Sequence, residues 1–287
     1  MLADPFLRQA AGGLSFYNTY PLTFPELTDD PDNLGANLRQ YISGFSDAAE
    51  QIVEAYDFLP QIARLEKAGI LYQVVARFAE AKLHPSHISQ MEMGYLFEEL
   101  IRRFSEQSNE TAGEHYTPRE VIRLMVNLLL HEDDDMLSAK GIAKSVFDPA
   151  CGTGGMLSVA QTWLHQLNPD ASFITFGQEL NAETFAMCRS DLLIKGQKAE
   201  NIRLGNSFSE DHFAGQHFDY MLANPPFGVE WKKVEKAVKG EAARGGGRFD
   251  AGTPRINDAA SVRKRSTPKG VWTSSTKTPR SGLRRPV

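Results

Sequence analysis

The sequence predicts an α/β protein in which a parallel sheet with covering helices follows a purely helical segment. Two observations carry this. After Lys144, short apolar runs (145–147, 173–176, 202–204 and 218–223) alternate with helical stretches reaching residue 167 and spanning 182–194, the alternation that βαβ units produce. Before that point, from about residue 47 to 104, apolar residues recur only at helical spacing.

Taken in order, residues 20–35 are rich in Pro, Asp and Asn and read as irregular. Leu71, Val74, Val75 and Phe78 form a helical stripe, and Met93, Leu96, Phe97, Leu100, Ile101 and Phe104 extend the pattern over three turns. Glu98 with Arg102 and Glu99 with Arg103 are placed for i,i+4 ion pairs on the outer face. The polar stretch 105–113 reads as a linker. Next, Thr117 is placed as an N-cap, Pro118 as the first helical residue and Glu120 as the closing member of a capping box. The expected apolar face of that helix is Val121, Ile122, Leu124, Met125, Leu128 and Leu129, ending in the acidic turn 133–135.

The net charge of −5 conceals an asymmetry: residues 1–231 hold 16 basic and 32 acidic side chains, a net of −16, whereas 232–287 hold 15 basic and 4 acidic, a net of +11. An acidic body is a poor unaided binder of the phosphate backbone, because that affinity comes from Lys and Arg displacing counterions. No apolar stretch approaches the roughly 18 residues of a membrane span, and no signal region opens the chain, so a cytoplasmic protein is expected. Cys151 and Cys188 are too few for a disulfide framework and lack partners at ligand spacing, so no metal is expected. From 259 onward the chain has eight basic residues, no acidic ones and no periodicity, and it is expected to be a disordered tail.

Two segments carry chemistry. Asp148-Pro149-Ala150-Cys151-Gly152-Thr153-Gly154-Gly155 follows a strand and opens a helix, where glycines let the backbone approach a ligand. The spacing is not G-x-G-x-x-G and no Gly-Lys-Ser/Thr follows, which argues against NAD and ATP. A tight turn with no ligand has the same form, but Asp148 in front and Glu179 after the next strand favour an adenosine-type ligand, since a carboxylate at the second strand's end binds ribose hydroxyls. The second segment, Asn224-Pro225-Pro226-Phe227, closes the run 218–223. Two prolines end any strand, so a loop terminator is one reading. The chemical reading is sharper: an amine conjugated to a ring attacks a methyl sulfonium better when acceptors draw its nitrogen toward tetrahedral geometry. The Asn224 carbonyl and a backbone carbonyl of Pro225-Pro226 supply such acceptors, and Phe227 can stack on the base.

Together these residues resemble the S-adenosylmethionine-dependent amino-methyltransferases. The run 93–227 resembles the methyltransferase subunit of type I restriction and modification systems, which methylates N6 of adenine in DNA. Met-Gly-Tyr-Leu-Phe-Glu-Glu-Leu-Ile-Arg-Arg-Phe (93–104), Gly-Glu-His-Tyr-Thr-Pro (113–118), the Gly-rich segment and Asn-Pro-Pro-Phe occur in that family's order. The resemblance implies a Rossmann-like methyltransferase sheet after a helical domain, S-adenosyl-L-methionine as cofactor, and double-stranded DNA with a flipped adenine as substrate. It also implies a specificity subunit that reads the DNA, a restriction subunit for cleavage, and no membrane. Carried over, Tyr116 and Thr117 lie near the methionine end of the cofactor. Asp148, Ala150, Gly152, Thr153 and Gly154 cradle it, Glu179 holds the ribose, and Asn206 lies near the adenine, where such enzymes often have an acidic residue. Capping and packing would also account for Tyr116 and Thr117. His115 receives no catalytic role, and Cys151 is a small residue suited to the turn.

The expected division is a partial helical domain with its linker over 1–112, the N-terminal part of the catalytic domain over 113–258, and the tail. The family's longer helical domain and larger sheet imply a chain cut short at both ends. The strand 218–223 is then expected as an exposed edge, in a chain of marginal stability with weak or no activity. Two other functions are consistent with the residues: a methyltransferase acting on RNA or protein glutamine, and a catalytically dead binding module or gene remnant.

Overall fold

The computed structural model describes residues 16–84, 86–107, 117–133, 138–225, 232–245 and 247–249. The chain divides into two compact units, one comprising Met1–His115, Gly152–Gly154 and Asn181–Ile202, the other Tyr116–Cys151, Gly155–Leu180 and Arg203–Val287.

The first unit is helical. Two short 3₁₀ segments, Pro25–Asp29 and Pro31–Asn33, lead into α1 (Leu34–Ser43), followed by α2 (Asp47–Ala55), α3 (Phe58–Lys67), α4 (Leu71–Glu80) and α5 (Gln90–Gln107). The Pro- and Asp-rich stretch 20–35, expected to be irregular, instead holds the two 3₁₀ segments and the first residues of α1, a helix the pattern did not suggest. Its Leu34 and Leu38, one turn apart, join Leu27, Ile62, Leu71 and Val75 in a core walled by Tyr20, Phe24 and Tyr41. Each such fully buried Leu or Ile is worth about 1.5–3 kcal/mol. α5 runs three residues into the expected linker, whose remainder lies outside the described residues. On α5, Glu99 pairs with both Arg102 and Arg103, while Glu98 accepts from Lys195 at 2.7 Å. Lys195 follows α8 (Ala182–Ile194), which packs against α2 and α5 and is buried along most of its length. Its buried Arg189 donates to Gln51, and its buried Asp191 accepts from Lys195 at 2.7 Å.

The second unit contains α6 (Arg119–Leu130), β1 (Ala143–Asp148), α7 (Gly155–Leu167), β2 (Ser172–Glu179), β4 (Tyr220–Met221) and α9 (Glu235–Arg244), and most of β3 (Ile202–Leu204). The strand order is β3-β2-β1-β4, with β1 parallel to β2 from Ala143↔Ser172 to Asp148↔Gly177 and to β4 through Val146↔Tyr220 and Phe147↔Met221. All four expected strands form. The last is two residues long rather than six, although Leu222 still donates from its backbone to Phe147 at 3.0 Å. Among the described residues β4 is an edge strand. α7 covers β1 and β2 and packs on α6, burying Leu157, Ala160 and Leu164 against Val126 and Leu130. Phe147, Phe176, Phe213 and Phe218 form an aromatic cluster with ring centroids 4.6–5.8 Å apart.

Two expectations for α6 are corrected. The helix begins at Arg119 with Pro118 as its N-cap and no side-chain cap, so Thr117 does not close a capping box. The carbonyl of Pro118 instead accepts from Val121 and Ile122 at 3.0 and 3.1 Å. The buried face is Ile122, Met125, Val126 and Leu130, whereas Val121, Leu124 and Leu128 are 46%, 59% and 68% exposed. A helix with apolar residues around most of its circumference has no unique stripe, and contact with α7 selects which side is buried. No helix among the described residues is long and apolar enough to cross a membrane. The tail expected from 259 onward lies outside the described residues.

Candidate functional site

Parallel strands bring their C-terminal ends to one sheet edge, the place where open α/β sheets bind ligands. In the second unit that edge collects Asp148 at the end of β1, Glu179 at the end of β2, Asn206 two residues after β3, and Asn224 three residues after β4. The loops between them are tied together. The Cys151 backbone N–H donates to the Gln178 carbonyl at 3.1 Å, and the Gly205 N–H to the Glu179 carbonyl at 2.8 Å. The Ser207 hydroxyl donates to the Pro149 carbonyl, and the Gln178 side-chain amide to the Glu210 carbonyl at 2.8 Å.

The two carboxylates differ in environment. Asp148 is 1% exposed and accepts from the Ala150 N–H at 3.0 Å. Burial, reinforced by the negative charge of Glu179, pushes its carboxyl up to about 7 against the opposing pull of the Ala150 N–H. Glu179 is half-buried. Ionised, Asp148 accepts from hydroxyl or ammonium groups; below about pH 7 it holds a proton and can donate.

The turn after Cys151 is a backbone device. Gly152 has φ +54° and Gly154 φ +83°, both left-handed. Among the described residues a Cβ on Gly152 would meet nothing within 4 Å, whereas one on Gly154 would come within 2.7 Å of Cys188 Sγ, inside the first unit. Thr153 between them is half-buried.

Asn224 is half-buried, and its side-chain Nδ2 donates to Thr117 Oγ1 at 3.1 Å. Asn206 caps its own loop: its side-chain oxygen accepts from the Phe208 N–H at 2.9 Å, and its backbone carbonyl from Ser209 and Glu210. The Asn206 amide oxygen is thus engaged by the backbone of its own loop. Pro225 is half-buried, and Tyr116, Pro226 and Phe227 lie outside the described residues. The structure accordingly gathers Thr117, Asp148, Ala150, Glu179, Asn206, Asn224 and Pro225 in one unit, while Gly152, Thr153 and Gly154 cluster with the helical unit.

Sequence reasoning missed three supporting residues. Gln178, 2% exposed, carries a signal in retrospect as a polar residue inside an apolar strand. Ser207 carries none. Arg248 donates to the Ser207 carbonyl and to Glu241 on α9, and pairs with Asp211 at 3.3 Å, fastening residues 247–249 to the loop after β3. Phe249 stacks on Phe208 with ring planes 11° apart.

Comparison with known proteins follows the same lines. The family model for N-6 DNA methylases matches residues 89–258. The MjaIX methylase subunit of a type I restriction enzyme from Methanocaldococcus jannaschii is 31% identical over 160 residues, 55% of this chain and 27% of that protein. The EcoEI methylase subunit of a type I restriction enzyme from Escherichia coli is 28% identical over 230 residues, 76% of this chain and 42% of its own length. The chain thus spans between about a quarter and two fifths of the length of these relatives. Among solved structures, a type I restriction-modification system methyltransferase subunit from Streptococcus thermophilus has the same fold. It superposes with a TM-score of 0.66 at 22% identity, covering 90% of this chain and 54% of that one.

Proposed function

Because this chain belongs to the N-6 DNA methylase family, we propose that it takes part in transferring a methyl group from S-adenosyl-L-methionine to N6 of adenine in DNA. One observation carries the reading furthest: Asn224 of Asn-Pro-Pro-Phe leaves the sheet at the edge that holds Asp148 and Glu179. The residues of this edge fit that cofactor, since its two carboxylates, Asp148 and Glu179, suit a hydroxylated, cationic molecule.

Bound there, S-adenosylmethionine supplies an electrophilic methyl on a sulfonium. Asp148 and Glu179 accept from ligand hydroxyl or ammonium groups, and the Gly152–Gly154 turn lets backbone approach without a side chain in the way. The Asn224 carbonyl and one backbone carbonyl of Pro225-Pro226 would accept the two hydrogens of the target amine, drawing its lone pair toward the methyl, and Phe227 would stack on the extruded base. Tyr116, Ala150, Thr153 and Asn206 complete the binding loops.

The relatives are methylase subunits of type I restriction enzymes, and we assign this chain the same assembly, with a specificity subunit reading the DNA and a restriction subunit joining for cleavage, in the cytoplasm. An acidic body fits a protein that leaves most of the DNA contact to another subunit. The proposed division is a helical domain over 1–112 and the catalytic domain over 113–258.

Labelled S-adenosylmethionine offered with duplex DNA, RNA and a glutamine-bearing polypeptide, in the presence of the specificity subunit, tests this. Label recovered as N6-methyladenine in DNA supports the reading. Label in RNA or on glutamine contradicts the substrate, and a folded protein that binds no S-adenosylmethionine is a binding module instead.

A further inference from the structure

We propose that Thr117 is a positioning residue for Asn224, fixing the rotation of its side-chain amide so that the carbonyl oxygen faces the methyl-accepting amine. The inference rests on the methyltransferase reading above and assigns Thr117 a role different from the cofactor contact that family resemblance implies.

Three observations on the second unit support it. The Asn224 amide nitrogen donates to Thr117 Oγ1 at 3.1 Å across 107 residues of chain, with both residues half-buried. The Thr117 hydroxyl does not cap α6, whose N-cap is Pro118 and which has no side-chain cap. A threonine just before a helix ordinarily gives its oxygen to that helix; here it serves a different element. Pro225 follows Asn224, and a proline confines the backbone of the residue before it. With the backbone restricted, the remaining freedom of Asn224 is in its side-chain torsions, and the amide torsion is broad and nearly two-fold.

A hydroxyl can accept or donate, so it holds one rotation only while it acts as acceptor. Here the Asn224 nitrogen donates to Thr117, and because an amide presents its nitrogen and oxygen on diverging bonds, the oxygen faces the other way. That end is the acceptor the reaction needs; the reversed amide would point a donor at an amine that is itself a donor. Pre-setting this rotation removes a non-productive state from the site.

The test uses the intact protein with Thr117→Val, which keeps the branched shape and loses the hydroxyl, and Thr117→Ser, which keeps the hydroxyl. The first readout is the NMR signal of the Asn224 side-chain amide, identified by its loss in Asn224→Ala. Thr117→Val should shift it and speed its exchange with solvent, and Thr117→Ser should leave it near its original position. The second readout is kinetic: in Thr117→Val, kcat should fall about tenfold, the worth of a single hydrogen bond, with the S-adenosylmethionine Kd unchanged and the rate recovered in Thr117→Ser. Should Thr117→Val fail to fold, Thr117→Ala provides the same comparison.

An unmoved amide signal in Thr117→Val overturns the inference. So does a weakened S-adenosylmethionine Kd with kcat intact at saturating cofactor, which would return Thr117 to the cofactor. Absence of methyl transfer by the wild-type protein would refute the parent reading and the catalytic consequence, while the amide signal would still show whether Thr117 holds Asn224.

Discussion

Asp148 is the residue whose environment departs furthest from what its type prefers, a buried carboxyl opposed by a neighbouring carboxylate, and this makes the site sensitive to pH. Its folded-state proton affinity is raised from the ordinary 3.8 to about 7. Between those values the folded protein holds a proton that the unfolded chain does not, so stability falls as pH rises from about 4 through about 7. Asp148→Asn, which keeps an acceptor for the Ala150 N–H, should flatten that slope and melt higher than wild type at pH 8; equal slopes in urea titrations would contradict the assignment. Ligand binding should have the opposite sign. If S-adenosylmethionine requires the ionised carboxylate, its affinity rises with pH up to about 7 in wild type and loses that dependence in Asp148→Asn, as read by calorimetry. Asn224→Ala should abolish methyl transfer with cofactor affinity nearly intact, whereas Asp148→Ala should weaken cofactor affinity first. Equal loss of cofactor binding in both would show that the roles are misassigned.

At the scale of elements, the two left-handed glycines of the Gly-rich turn have different surroundings. An added methyl at Gly154, at φ +83° and 2.7 Å from Cys188 Sγ, meets both strain and a fully buried neighbour. Gly154→Ala should therefore cost about 1–3 kcal/mol in stability. Gly152→Ala meets only the left-handed backbone penalty of about 1–2 kcal/mol, and its main effect should be on cofactor affinity, because its Cβ meets nothing within 4 Å among the described residues. Denaturation midpoints and calorimetry on the two variants check this, and a larger stability loss at Gly152 would contradict it. The legibility of elements follows from burial. β1 to β3 and α8 were readable because apolar runs bounded by turn residues mark them. α9 buries only Val238 and carries no stripe, so nothing in its pattern announced a helix. α1 has only Leu34 and Leu38 buried, behind a Pro- and Asp-rich stretch. The start of α6 was misread because the capping pattern is local, whereas the partner of Thr117 is supplied 107 residues away.

For the whole molecule, charge distribution sets what the chain can do alone. With −16 over residues 1–231 and +11 over 232–287, electrostatic affinity of the chain by itself for duplex DNA is expected from its C-terminal region. Deleting 259–287, which holds eight basic and no acidic residues, should abolish salt-dependent binding in fluorescence anisotropy while leaving S-adenosylmethionine binding intact; undiminished DNA affinity would place the contact on the body. The placement of Asp148, Glu179, Asn206 and Asn224 is legible because each lies at or just after a strand end, and in a parallel sheet strand ends share an edge. The cross-links that support it, Ser207 to Pro149, Gln178 to Glu210 and Arg248 to Ser207, connect separate loops and leave little local pattern. The central claim is that this edge holds the cofactor beside Asn224, and a crystal structure with S-adenosylhomocysteine tests it most directly. The ligand is expected with its polar groups on Asp148 and Glu179 and its sulfur facing Asn224. Ligand bound elsewhere, or with Asn224 on the far side of the sheet, would contradict it.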